Sequence, residues 1–439
     1  MMESQTKSLE NLPLSRFHWR LIAMAGGSAF VDGYILGIIA IALSLLTSEF
    51  GLGPVWVGLI GASSMIGMFV GSLVCGRLTD VIGRKVMFTI TIIVFIVGSI
   101  LQFFVADALQ LLILRLVLGI AIGADYPIAA AYLAELAPKK HRGSMLSSMT
   151  LFWWSGYVVS FVVGYAMSGL PWRWILVTSA VPAIIILLLR LGFPESPRWL
   201  MSKGRGADAT SIIQHHLGPN VYLEESVATA ENPKMRVKDL FKGGYLKLIL
   251  FTSVFWMCQV APSYAIHTLQ PQLFKALDVD NPLLATMVVT ALSLLGVVPA
   301  LFMVKRLGRR RLLIVTMSFM FVPLLVVGTF PTAMAGILIL AFVIFTVFES
   351  AGSVLQFVYP GELFPTEVRG TATGIATSVS RIGSSISTFV LPVIYTNFGV
   401  SIAMLLTAAM VGVGLLVSIK WAPETRHLTL AEASSIGRL

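Results

Sequence analysis

The chain has 439 residues, 56% of them apolar and only 12% charged, with a mean hydropathy of +0.87. A soluble domain carries roughly 25% charged residues, so this composition excludes a soluble enzyme or binding module and places the chain in a bilayer. The net charge of +10 is then topogenic and calls for no nucleic-acid partner, because membrane proteins gather Lys and Arg on one face. Cys75 and Cys258 both lie in apolar runs, so neither a disulfide framework nor a metal site is expected. The first twenty residues, MMESQTKSLENLPLSRFHWR, hold no apolar core and no small-residue cleavage site. The first span is therefore read as its own signal.

A helix crosses the hydrocarbon with about 20 apolar residues. Twelve such runs follow along the chain, near 20–46, 55–75, 86–105, 109–134, 145–168, 173–192, 246–274, 283–304, 312–330, 333–360, 371–395 and 400–420. The expected fold class is an all-α membrane protein with twelve transmembrane helices. One long connection divides it. Residues 1–193 form an N-terminal six-helix bundle, 194–245 a loop with short helices, and 246–439 a C-terminal six-helix bundle with a short tail. With the N-terminus in the cytoplasm, nearly all of the 31 Lys and Arg fall on that side. Arg173 and Lys275 lie on the other side, and Arg115 and Arg381 lie within spans. This bias predicts both termini inside.

The two halves repeat each other. ELAPKKHRG (Glu135–Gly143) matches ELFPTEVRG (Glu362–Gly370) at Glu, Leu, Pro, Arg and Gly. DVIGRK (Asp80–Lys85) is echoed by KRLGRR (Lys305–Arg310), and PESPRW (Pro194–Trp199) more weakly by PETRHL (Pro423–Leu428). Each pair falls at an equivalent loop of the two halves. Parallel six-helix repeats related by an axis along the membrane normal are the plan of the major facilitator superfamily, with the site between the halves near the midplane. GRLTDVIGRK (Gly76–Lys85), RLVLGIAIGADYP (Arg115–Pro127), PESPRWL and PETR resemble its sugar-porter and metabolite:proton symporter branch. The patterns FxDGY, GADYP, WxCQVxPxxAIxT, ELFPT and SRIG are most similar to those of enterobacterial metabolite transport proteins. The resemblance covers nearly the whole chain. It implies two pseudo-symmetric bundles, a small-molecule substrate carried with a proton, alternating access, no cofactor, and a monomer in the bacterial inner membrane.

The loop motifs carry candidate gate residues: Gly76, Arg77, Asp80, Gly83, Arg84 and Lys85, with Glu135 and Arg142, then Glu362 and Arg369. The glycines let helix ends approach. Glu135 with Arg142, and Glu362 with Arg369, are expected to complete acid–base networks across the cytoplasmic face. The resemblance implies that such contacts hold that gate shut and break as the site opens inward.

Ionisable residues inside a membrane are expensive and mark pathways or couplings. Three acids, Asp32, Asp125 and Glu349, and two bases, Arg115 and Arg381, lie within spans. Asp32, Arg115, Asp125 and Glu349 are the proton-coupling candidates. Arg115 is expected to compensate Asp32 or Asp125, either as a fixed pair or alternating with a bound proton. The resemblance to aromatic-acid:proton symporters, with DGYD-type sequence in helix one, favours Asp32, although Ile35 stands where their second acid would be. Arg381 either pairs with Glu349 or clamps a substrate carboxylate.

The remaining binding candidates are Tyr34, and on helix five the aromatic stripe of Trp153, Trp154 and Tyr157. Helix seven adds Gln259, Ser263, Tyr264, His267 and Gln270, with Pro262 to interrupt it, and helix ten adds Gln356, on one face with Glu349, Ser353 and Pro360. Sugar porters carry two glutamines followed by glycine and asparagine on helix seven, and a glutamine on helix five. This chain keeps Gln259, has Pro262 and Tyr264 nearby, and places tryptophans on helix five. An organic anion, ring-bearing for preference, fits these residues better than a hexose. Sugar or sugar-acid uptake and export of amphipathic compounds stay open as alternatives. A non-transporting sensor lacks a long tail, and an enzyme lacks a phosphate-binding loop or a ligand cluster.

Overall fold

The computed structural model describes residues 7–8, 12–138, 140–222, 237–428 and 430–438. The side chains of residues 7–8, Gly76, Arg77, Asp80, Ser202, Tyr222, Val237, Thr366, Glu367, Leu430, Ala431 and Arg438 are outside that description. The gate expectations on Gly76, Arg77 and Asp80 thus fall outside the described side chains.

Long apolar runs become helices because a backbone in hydrocarbon must bond to itself. The N-terminal half contains α1 (Arg16–Glu49), α2 (Pro54–Ile82), α3 (Arg84–Leu101), α4 (Ala108–Leu136), α5 (Arg142–Ala166) and α6 (Trp172–Arg190). The C-terminal half contains α7 (Gly243–Ala276), α8 (Pro282–Leu307), α9 (Arg309–Thr329) and α10 (Ala335–Leu363). Among the described residues, eleven stretches are long and apolar enough to span. The last, Thr366–Trp421, is bent out of helical geometry at Gly399 (φ +85°). It is therefore two helices, α11 (366–398) and α12 (400–421), which makes twelve candidate crossings among the described residues. Short helices Pro197–Ser202 and Gly206–Leu217 lie between the halves.

Small residues set the packing, as expected where helices associate by close backbone approach. A Cβ at Gly33 would strike the Trp153 carbonyl, and one at Gly156 the Phe30 carbonyl. That contact draws α1 against α5. Gly67 and Gly119 do the same for α2 and α4. Between the halves, α1 meets α7, α2 meets α11, and α5 meets α8. At one end this interface is tight: Gly58 lies against the Phe389 backbone, and Gly61 against Thr268 and Thr388. A cavity lined by residues of both halves also opens between them.

Candidate functional site

Asp32 on α1 and Arg381 on α11 face one cavity from opposite halves. Trp153, Trp154 and Tyr157 of α5 line it, with Ser263, Tyr264 and His267 of α7 and Glu349, Ser353 and Gln356 of α10. The cavity is about 60 Å³, far below the ~300 Å³ of a small ligand pocket, so this conformation is a constricted one. Ten of the expected site residues are thus brought together. Thr150, Tyr126, Phe357, Met68, Ile122 and Val260 also line the cavity and were missed. Tyr126 belongs to the GADYP motif, next to Asp125.

The aromatic wall is ordered by mutual contact. Trp153 stacks on Tyr157 (centroids 5.1 Å, 10°), and Tyr264 meets Trp153 edge-on at 6.3 Å. Trp154 Nε1–H donates to Ser353 Oγ at 3.1 Å. That bond ties α5 to α10 where α10 is interrupted, between Ser353 and Leu355. On the C-terminal side His267 Nε2 lies 3.2 Å from Glu349 Oε2, joining α7 to α10. Its Nδ1 lies 3.4 Å from Gln270 Oε1. Gln356 Nε2–H donates to Gln259 Oε1 at 3.2 Å, so Gln259 stands behind the cavity wall. Glu349 therefore pairs with His267, and the Glu349–Arg381 alternative is not the one adopted.

Two charged groups are left incomplete. Asp32 is fully buried, and neither carboxylate oxygen has a hydrogen-bond partner. Arg381 has two buried nitrogens, Nε and Nη1, without a partner, and its Cζ stands 5.4 Å from the Tyr264 ring centre. An unpaired polar group in a dry site costs free energy. Both groups thus have unused capacity directed at the same space.

The expected partnership of Arg115 with Asp32 or Asp125 is corrected. Arg115 is buried, and its Nη1–H donates to the Ile35 carbonyl at 2.9 Å. It lies two turns into α4 and outside the cavity. Asp125 instead pairs with Arg190, at 3.3 Å, and accepts hydrogen bonds from Ser28 and Thr91. Arg190 closes α6, at the edge of the long connection. Its guanidinium turns into the bundle, 3.4 Å from the centre of the Phe88 ring. Asp125 does not line the cavity, and neither does Tyr34, whose hydroxyl donates to Thr178 Oγ1 at 2.8 Å.

The loop networks repeat between the halves more closely than the sequence echo. Arg84 pairs with Glu135 at 3.2 Å, and Arg309 with Glu362 at 2.7 Å. Glu195 accepts from the backbone N–H of Arg84 and Lys85, capping α3. Glu424 accepts from those of Arg309 and Arg310, capping α9. Gly83 and Gly308 precede these helices at φ +114° and +86°, and a Cβ at either would meet its capping carboxylate. Ser196 donates to Glu135, and Thr425 to Glu362. The expected direct complements to those acids, Arg142 and Arg369, donate to the carbonyls of Ala137 and Phe364, five residues back in each case. The acids are held by the arginines that open α3 and α9, since those helix starts lie over the ends of α4 and α10.

The profile of the sugar (and other) transporter family matches residues 20–436. The chain is 37% identical to the inner membrane metabolite transport protein YgcS of Escherichia coli (strain K12), over 99% of this chain and 98% of that one. It is 36% identical to the metabolite transport protein YaaU of the same strain, over 98% of each. Its fold superposes on the partially occluded, inward-open xylose transporter XylE from E. coli with a TM-score of 0.79, at 21% identity, covering 94% of this chain and 100% of that one. The chain therefore belongs to the sugar (and other) transporter family and is a multi-pass secondary transporter of metabolites, not an enzyme.

Proposed function

We propose that the protein takes up a small organic anion, aromatic carboxylates included, together with protons. Arg381 receives the carboxylate, Asp32 carries the coupled proton, and Trp153, Tyr157 and Tyr264 hold the body of the substrate. The observation that carries this reading is the pair of incomplete groups on one cavity: two unpartnered nitrogens of Arg381 and a bare carboxyl group at Asp32. A substrate carboxylate satisfies the first by charge-assisted bonds. A proton neutralises the second, which otherwise remains a buried charge without a partner. The bundles 1–193 and 246–439 rock about the cavity in a monomer whose termini both lie in the cytoplasm of the inner membrane. The positive bias of the loops supports that orientation.

Purified protein is screened by thermal shift against benzoate, succinate and D-xylose, and the screen is repeated on Arg381→Ala. Stabilisation by a carboxylate that the variant loses is the expected result. A ligand at a hundred times its Kd adds about 2.7 kcal/mol, well within reach of such a screen. Stabilisation by D-xylose alone, unchanged in Arg381→Ala, establishes sugar uptake instead. Vesicle uptake of the stabilising carboxylate should collapse with a protonophore and in Asp32→Asn. Uptake indifferent to both removes proton coupling.

A further inference from the structure

We propose that His267, Glu349 and Gln270 form a second proton-binding site, so that the cavity binds one proton on each half. The inference rests on the proton-coupled reading of the cavity and adds to it a second site and a count of protons.

The geometry of the imidazole carries the argument. Its Nε2 faces Glu349 Oε2 at 3.2 Å and its Nδ1 faces Gln270 Oε1 at 3.4 Å. Both neighbours are hydrogen-bond acceptors. A neutral imidazole donates from one nitrogen only, whereas the imidazolium donates from both. Trp154, Tyr157 and Phe345 stand around the ring at 5.8–6.2 Å, leaving those two oxygens as its polar neighbours. His267 and Glu349 also line the cavity, so a proton can reach the ring from water there. The step is simple protonation: the Nδ1 lone pair takes a proton from cavity water, and the ring gains one charge.

Every charged or titratable group around the ring bears on its charge. They are Glu349 on α10, Tyr264 on its own helix, Tyr157 on α5, Arg381 on α11 and Asp32 on α1. The span 282–304 of α8 has no ionisable side chain. With His267 neutral, the ionised cavity holds Asp32 and Glu349 against Arg381 alone, an excess negative charge. An anion at Arg381 would add another. In a site of low dielectric such an excess is costly, and protons on Asp32 and His267 remove it. The Asp125–Arg190 pair behind the wall is neutral as a unit.

The test uses protons alone as the probe. Proteoliposomes on a solid-supported membrane receive a series of acidifying jumps on both sides of neutrality, with no substrate present. The displaced charge is recorded for the full chain and its variants. About half should remain in Asp32→Asn, about half in His267→Gln, and none in the double variant. Glu349→Gln should move the midpoint of the remaining Asp32→Asn signal to lower pH, because the imidazolium loses its counter-charge. If His267→Gln does not purify as a monodisperse species, that shift in Asp32→Asn/Glu349→Gln carries the test. Full displacement in His267→Gln, none in Asp32→Asn, or an unmoved midpoint overturns the second site. Full displacement in Asp32→Asn with loss in His267→Gln removes Asp32 from the coupling and leaves the second site standing.

Discussion

Replacing Arg190 with Met should destabilise the protein more than most substitutions outside the cavity. Asp125 has no exposed surface, and the Arg190 side chain is 5% exposed. Without the guanidinium the carboxylate keeps only the hydroxyls of Ser28 and Thr91. Breaking a buried pair by removing one partner costs about 3–5 kcal/mol, whereas removing both charges is close to neutral. Arg190→Met should therefore lower the apparent melting temperature by at least about 5 °C. Asp125→Asn/Arg190→Met should recover most of the loss. The protein supplies its own reporter: Cys75 and Cys258 are both free and buried, so a thiol-reactive dye reads unfolding as they emerge. A wild-type melting temperature in Arg190→Met would refute the reasoning. So would a double variant less stable than either single one, since that would make the pair incidental to the fold.

Other substitutions test the packing and the loops. Gly156→Ala presses a methyl group into the Phe30 backbone, which no rotamer change can relieve, whereas Gly336→Ala meets open space. The first should cost about 3 kcal/mol or more, at the upper end of overpacking, and the second should leave the melting temperature unmoved in the same dye assay. Glu195→Gln and Glu424→Gln should weaken the starts of α3 and α9 by similar amounts, about 1 kcal/mol each, seen as faster hydrogen exchange at residues 84–87 and 309–312. Burial, with His215 and Arg20 adding repulsion, holds His216 below the ordinary histidine range. The unfolded segment then binds a proton more readily than the folded one. The packing of Gly206–Leu217 against Phe17 is therefore fully stable above about pH 6.5 and loosens as pH falls through that value. Hydrogen exchange of 206–217, corrected for intrinsic rate, should rise on acidification while α9 stays level.

The spans and loop motifs were legible because their signals are local. An apolar run of spanning length declares itself, and the break at Gly399 falls inside the short gap between the eleventh and twelfth runs. Glu135 and Glu362 were legible as an equivalent pair because the same Glu recurs at the same offset. Partners inside the bundle were not. Asp125 and Arg190 are 65 residues apart, and Arg190 sits where α6 ends, as a topogenic arginine would. Helices apolar on every side carry no periodic mark of which face is turned inward. The direction in which Arg115 or Tyr34 points is therefore set by packing, and a one-turn difference in depth separates an ion pair from a bond to the Ile35 carbonyl. His267 and Glu349 were each singled out. Their pairing needed the rotation of α7 against α10, which sequence spacing alone does not fix.

The two ends of the inter-bundle contact are built from different materials, and this bears on how the cavity opens. Away from the loops of Glu195 and Glu424, the halves meet backbone to side chain or backbone to backbone, at Gly58 with Phe389 and Gly61 with Thr268 and Thr388. Such a contact parts only if whole helices move. Toward the loops, the floor of the cavity includes a single ring pair across the halves, Tyr126 and Phe357, with centroids 5.2 Å apart. Rings can leave by rotamer change, and Phe357 lies on the short segment Leu355–Leu363, past the interruption in α10. The Arg84–Glu135 and Arg309–Glu362 pairs each lie within one half, so they stiffen each bundle without bridging that floor. The ring contact of Tyr126 with Phe357 is therefore the more easily parted of the two, because it can yield by side-chain rotation while the glycine contacts cannot.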